Sequence, residues 1–231
     1  KQLGSKIITV YMSCTNQINN VDWANVRRIP PCAPVIVSGF WYWRIFDFLV
    51  SRQCNVVYLN DRPDLKAVAK SEIIMNWHRI DSLRNVCVAE AVKHLKGAGR
   101  KKILLLHTGV HCQTTPVSGF RTALKKYRLR HYPELEFFCH ENYHDQREML
   151  EIFISEGHEF DAVIAQTSQQ ALAASAALQN CGRKVPQDVS LVSLTENLLL
   201  AGGPTTITSI AYDQNEVGME AIAAYEAELL A

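Results

Sequence analysis

The 231-residue sequence predicts an α/β doubly wound fold with parallel sheets. Short runs of β-branched and aliphatic residues recur along the chain, and most are followed by a helical pattern. There is no solenoid-length repeat and no low-complexity tract. Runs that stay apolar without alternating belong to strands buried on both faces, as crossover helices bury a parallel sheet. Alternation of such strands with helices points to one architecture.

The predicted strands, in chain order, begin with Ile7–Met12, Pro34–Val37, Asn55–Leu59 and Lys102–Leu106. They continue with Glu134–Phe138, Asp161–Ala165 and Val189–Val192. Between the third and fourth, Val86 to Lys96 carries Val88, Ala91, Val92 and Leu95 at helical spacing, and Gly97 reads as its stop. Ser168 to Gln179 is an Ala-rich helix closing before Gly182, and Asn215 to Leu230 is a second, rich in Ala and Glu. Gly97-Ala98-Gly99 leads from helix to strand, the reverse of the order a dinucleotide fingerprint needs.

One stretch has the letters of a zinc protease: His140-Glu141-Asn142-Tyr143-His144. That chemistry needs both His on one helical face, with the Glu placed over a metal-bound water. Asp145 with Glu148 three residues on reads as a capping box, so the helix is expected to begin at about Asp145, after the second His. His140 and His144 then lie on a strand-to-helix connection and share no face. The expectation is no metal site, no cofactor and no catalytic residue; no Ser or Cys sits in a nucleophile elbow either.

Net charge is +1, with 48% hydrophobic and 20% charged residues, which gives no overall pull toward nucleic acid or membrane. No apolar run approaches the roughly 18 to 20 residues that span a bilayer. Seven cysteines, an odd number without a C-x-x-C pair, suit a reducing compartment, with the thiols acting as small buried apolar groups. Lys1-Gln2-Leu3-Gly4-Ser5 is no signal peptide and lacks an initiator Met, so the chain is expected to be cytoplasmic and to begin mid-protein. The basic stretch Lys125-Lys126-Tyr127-Arg128-Leu129-Arg130-His131 reads as a solvated helix end ahead of a nucleic-acid patch. His107-Thr108-Gly109-Val110-His111-Cys112 follows a strand and lacks a partner cluster for metal.

Four passages carry a family resemblance. They are Ala91-Val92-Lys93-His94-Leu95 through Gly99-Arg100-Lys101-Lys102-Ile103, Gly119-Phe120-Arg121-Thr122-Ala123-Leu124, Cys181-Gly182-Arg183-Lys184-Val185-Pro186-Gln187-Asp188-Val189-Ser190-Leu191-Val192, and Pro204-Thr205-Thr206-Ile207 followed by Val217-Gly218-Met219. In this order they resemble the lactose-repressor (LacI) family of bacterial transcription regulators. The resemblance implies a periplasmic-binding-protein-like effector domain of type I, with two Rossmann-like lobes, a small-molecule cleft between them and a homodimer. The implied lobes are 1–96 plus 212–231, and 97–211. DNA would be contacted through an N-terminal helix-turn-helix that is not visible in this sequence. The strands at Ile7 and Pro34 lie close together, so one βα unit of the first lobe is expected to be missing.

Ligands of open α/β sheets bind beyond the carboxyl ends of the strands. By that rule, and by the resemblance, the expected ligand contacts are Trp41, Tyr143, Gln166, Thr167 and Thr195, with the ligand a carbohydrate or related metabolite. Trp41 reads equally as a stacking platform or a core aromatic, and the loop bearing Tyr143 as a cleft wall or a solvated connection. The family's charged ligand residues do not carry over. Pro116 replaces its Arg, Thr167-Ser168 its Asn-Asp, and Ser193-Leu194-Thr195 its Gly-aromatic-Asp. Of two other readings, a sugar-binding transport receptor of the same fold conflicts with the free thiols and missing signal peptide. The second, a zinc hydrolase on His140, Glu141 and His144, conflicts with the expected helix start.

Overall fold

The structure, a computed structural model, describes residues 22–38, 43–59, 77–80, 84–107, 115–139, 142–195, 207–210 and 213–229. The expected strand Ile7–Met12 lies outside them. Two compact units divide the chain, 1–82 with 214–231 and 83–213.

In the first unit, β1 (Pro34–Ser38), β2 (Asn55–Leu59) and β3 (His78–Ile80) form a parallel sheet in the order β1-β2-β3. The pleat sends successive residues of β2 to opposite faces. Val56 and Tyr58 join Ile45, Phe46 and Leu49 of α2 (Trp43–Ser51) and Val26 of α1 (Trp23–Val26). Val57 and Leu59 meet Val217, Ala221 and Tyr225 of the last helix, α7 (Gln214–Leu229). Helices on both faces explain why Val56, Val57 and Tyr58 are all buried although successive residues face opposite ways. β3 was not expected, because His78-Arg79-Ile80 has only Ile80 buried and no apolar run to read.

The second unit is built on β4 (Ile103–His107), β5 (Glu136–Phe138), β6 (Ala162–Ala165), β7 (Ser190–Ser193) and β8 (Thr208–Ser209). They run parallel in the order β5-β4-β6-β7-β8. Leu104, Leu106, Val163, Ala165 and Leu191 face α5 (Tyr143–Ser155) and α6 (Ser168–Asn180) through Leu150, Phe153, Ala171, Ala174 and Leu178. Ile103, Leu105, Ala162, Ile164 and Val192 face α3 (Arg84–Gly97) and α4 (Thr115–Lys126). Full burial on both sides accounts for the unbroken Ile-Leu-Leu-Leu of β4.

The sequence reading needs two corrections here. Helix α3 was assigned to the first lobe, with a boundary at 96/97. Its apolar face, Val88, Ala91, Val92 and Leu95, instead packs with Phe120, Ala123 and Leu124 of α4, and the units part between 82 and 83 and again between 213 and 214. Helix α3 ends at Gly97, as the sequence predicts, and the left-handed residue beyond it is Gly99 at φ 81°; Gly99 N donates to Lys96 O and Arg100 N to Leu95 O. The run Glu134–Phe138 splits, with Pro133–Leu135 forming a 3₁₀ turn that buries Leu135 before the strand begins.

At the amino ends of these strands, Asp161 accepts bonds from the backbone N–H groups of Lys101 and Lys102, at 2.8 to 3.0 Å. Arg100 spans to the connection before β7, donating to the carbonyls of Pro186, Gln187 and Asp188 and to Ser190 Oγ. Replacing Arg100 with Ala is expected to cost about 1.5 kcal/mol or more, the scale of bonds from a charged donor. Lys should recover little, because it lacks the planar fork. A urea midpoint for Arg100→Ala equal to that of the parent chain would refute the clamp.

Candidate functional site

With β4 first in its unit and β5 and β6 on either side of it, the direction of sheet growth reverses between β4 and β6. In sheets of this kind the crevice beyond the carboxyl ends at that reversal is where ligands bind. Here the ends present His107 of β4, Gln166 after β6 and, one strand further, Ser193 to Thr195.

Gln166 and Thr167 are hydrogen-bonded to Gln170, and beside them Thr195 is bonded to Ser168 and Ser193. Thr167 is the N-cap of α6, its side chain accepting from Gln170 N at 3.2 Å. The Gln170 side chain turns back, and its Oε1 accepts from Thr167 N at 3.1 Å and Gln166 N at 2.9 Å. This is a closed capping box around a wholly buried Gln170. Thr195 Oγ1 lies 3.3 Å from Ser168 Oγ, joining the end of β7 to the start of α6. Ser193 Oγ donates to Thr195 O at 2.9 Å. Every one of these side chains is neutral.

The sequence reading missed Gln170 and Ser168, although Thr-x-x-Gln ahead of an Ala-rich run is a legible capping signal. Tyr143, half-buried, is the first residue of α5 and packs edge-on against His144 at 5.6 Å. Trp41 falls outside the described residues.

Helix α5 starts earlier than expected. Its cap is Asn142, accepting from His144 N at 2.8 Å, and Tyr143 opens the helix, so His144 is in the first turn rather than before it. Asn142 itself is extended, at φ −82° and ψ 132°. An extended residue between the two His positions breaks the helix that a zinc-protease motif requires. His140 and Glu141 lie outside the described residues. Among the described residues no group of three His, Cys, Asp or Glu could hold a metal ion. Cys139, buried beside this connection, has its thiol pushed up to about 12 by desolvation, so it stays protonated and is a poor nucleophile.

The basic stretch after α4 is engaged locally. Lys126 sits over Tyr127 and Arg130 over Tyr132, while Arg121 and His131 both bind Glu136. Burial raises the Glu136 carboxyl, but the bonds from Arg121 and His131 outweigh it and hold the group below the usual carboxylate range. These contacts fit the helix-end reading.

Residues 92–229 match the model of the periplasmic binding protein-like domain. The chain belongs to that family. A periplasmic-binding-protein-like domain accounts for the parallel sheets and for a match that runs from α3 to α7. Among curated relatives, an HTH-type transcriptional regulator of Lachnoclostridium phytofermentans is 30% identical over 124 residues, which is 53% of this chain and 37% of that protein. The chain therefore matches little more than a third of that regulator's length. Two solved structures share the fold. A sugar-binding transcriptional regulator of the LacI family from Escherichia coli, complexed with phosphate, is 19% identical with a TM-score of 0.68, covering 83% of this chain and 67% of its own. The transcriptional regulator CelR in complex with cellobiose is 18% identical with a TM-score of 0.70, covering 84% and 60%. The same domain architecture thus underlies the resemblance read from Gly119–Leu124 and Gly182–Val192.

No helix among the described residues is long and apolar enough to cross a membrane. Within the domain, Thr167→Ala should cost about 1 kcal/mol, the ordinary value of an N-cap. Gln170→Ala should cost more, about 2–4 kcal/mol, because it leaves the buried Gln166 N–H and the half-buried Thr167 N–H without their acceptor. Chemical denaturation of both variants checks the order, and equal costs would show that the box is not closed as described.

Proposed function

We propose that this chain is the effector-sensing and dimerising part of a LacI-type transcription regulator, and that it binds a neutral small molecule, a carbohydrate or related metabolite. The observation that carries the reading is the neutral cluster of Gln166, Thr167, Ser168 and Thr195 at the carboxyl ends of β6 and β7, beside the point where the sheet reverses. It stands in a domain whose relatives include an HTH-type regulator and a regulator in complex with cellobiose. Hydroxyl and amide groups suit exchange of hydrogen bonds with sugar hydroxyls. The face of Tyr143 can add stacking of about 0.5–1.5 kcal/mol, and Trp41 is assigned the same role.

On this reading the protein is not an enzyme and works in the cytoplasm. DNA contact is assigned to a separate helix-turn-helix domain of the regulator. Effector binding changes the domain's conformational equilibrium, and its differential affinity for the two states sets the size of the response. The extended backbone at Asn142 argues against the hydrolase reading.

A thermal-shift screen should favour neutral saccharides over sugar phosphates. Tyr143→Ala and Thr195→Ala should each weaken the best ligand about tenfold, the loss of one good contact of about 1.4 kcal/mol. Tightest binding by a sugar phosphate, or unchanged affinity in both variants, would place the ligand elsewhere. Sedimentation at micromolar concentration should give twice the monomer mass, and a monomer throughout would remove the dimerising role.

A further inference from the structure

Charge is spread along this chain far less evenly than its net value of +1 suggests. From Ala91 to Pro133 the sequence has ten Lys and Arg and no Asp or Glu. From Glu134 to its end it has sixteen Asp and Glu against three Lys and Arg. The basic stretch includes the second half of α3, β4, α4 and the turn that follows it. β4 is buried, so the charges fall on the two helices and on the connections leading out of them. β4 and β5 are parallel neighbours, and α3 and α4 therefore hand the chain back at the same edge of the sheet. Two contacts tie these ends together. Lys96 Nζ, in the last turn of α3, donates to Tyr127 O just past α4, at 2.7 Å. Lys102, at the entry to β4, lies over the Tyr132 ring at 5.8 Å, as Arg130 does at 4.9 Å. The cations thus form one patch at the amino edge of the second unit's sheet.

Little of this charge is answered within the chain. Lys93, Lys102 and Arg121 meet the carboxylates of Glu90, Glu159 and Glu136. The other seven meet no carboxylate among the described residues. Lys126 and Arg130 are held by tyrosine rings, which leave the positive charge in place. The side chains of Lys101, Lys125 and Arg128 are exposed and make no hydrogen bond or ion pair with a described residue. Attraction to helix carbonyl ends accounts for the bases in the last turns, Lys96, Lys125 and Lys126. It does not account for Arg128. That residue follows α4 at φ 57°, where α3 and α6 are followed by Gly99 and Gly182 in the same conformation. A side chain there bears a steric penalty that glycine escapes, yet the position holds a cation with no described contact of its own.

We propose that this patch is the docking surface for a short acidic segment of a partner protein, whose Asp and Glu carboxylates pair with Lys101, Lys125, Arg128 and their neighbours. Charge sets the class of partner, and the extent of the patch sets its size. At physiological salt an exposed charge is felt over about 8 Å, so an acidic segment that stays on the patch meets mainly cations. A long polyanion runs beyond it, onto a chain whose remaining residues include fourteen Lys and Arg against twenty-three Asp and Glu. Single-stranded nucleic acid also needs open aromatic faces for its bases. The two tyrosines of the patch already hold cations over their rings, Lys126 at Tyr127, and Lys102 and Arg130 at Tyr132.

The test is fluorescence anisotropy of a labelled deca-glutamate peptide titrated with the folded chain. Binding should be measurable at low salt and should weaken steeply as salt rises to about 0.15 M, as contacts between exposed charges do. Lys125→Glu combined with Arg128→Glu should weaken it about tenfold, through two lost attractions and the repulsions that replace them. Arg27→Glu combined with Arg28→Glu makes the same change in net charge at the exposed end of α1, in the first unit, and should leave binding unchanged. Arg128→Gly removes one cation without reversing it, and should weaken binding about threefold. It should not lower the urea midpoint, because glycine suits the left-handed position. The proposal is overturned by no binding at low salt, or by equal losses from the two double variants. Tighter binding of a DNA strand carrying the same number of charges than of the peptide overturns it as well, and would make the patch a nucleic-acid surface.

Discussion

The second unit depends on how the amino ends of its strands are held. A strand buried on both faces has no water for its backbone, so each N–H and C=O at its entry needs a partner. Asp161 supplies one from a side chain, taking the N–H groups of Lys101 and Lys102 just before β4, while Asp161 N and Ala162 N return to Lys102 O. Ser190 N then donates to Asp161 O, and Arg100 binds Ser190 and the carbonyls before it. One short network thus aligns β4, β6 and β7. Because the rise per residue is fixed, aligned entries mean aligned exits. His107, Gln166 and Ser193 reach the carboxyl edge together for this reason.

The helices return to these entries by one device used repeatedly. After α3, Arg100 N reaches Leu95 O past Gly99 at φ 81°, and after α6, Arg183 N reaches Leu178 O past Gly182 at φ 72°. The same bonds follow α4, with Arg128 in the left-handed position, and α2, with Gln53 there. Non-glycine residues bear a steric penalty in that region. Their presence shows that the bonds and the buried contacts beyond them outweigh it. Gln53 leads directly into buried Cys54, and Arg128 into Leu129, packed against the α3–α4 core.

Most strands were legible because full burial leaves an unmistakable trace, a run without polar interruption. β4, β6 and β7 were read to within a residue or two. β3 and β8 left no such trace, being two or three residues long and mostly exposed. The assignment of α3 failed for a different reason. Spacing at Val88, Ala91, Val92 and Leu95 identifies an apolar face but not the sheet or helix that covers it, and here α4 covers it. The start of α5 was misplaced because two capping signals overlap. Asn142 competes with Asp145, and Asn142 prevails, its side chain taking His144 N. Strand polarity alone located Gln166, Thr167 and Thr195 at the carboxyl edge of the sheet. Gln170 escaped because its function depends on a side chain folding back out of the helix.

The charge of the proposed site follows from what the capping box already does. Thr167 and Gln170 satisfy the first turn of α6 from within the chain, so that helix end does not wait for an anion to complete it. An anionic ligand would lose its hydration to meet hydroxyls and amides, with no described cation in the cluster to offset the cost. A neutral polyol exchanges water for groups of the same kind, and little is lost on either side. The substitution of Asn-Asp by Thr167-Ser168 and of Gly-aromatic-Asp by Ser193-Leu194-Thr195 is then one coherent change. Shape and hydrogen-bond count, rather than charge, are left to select the ligand.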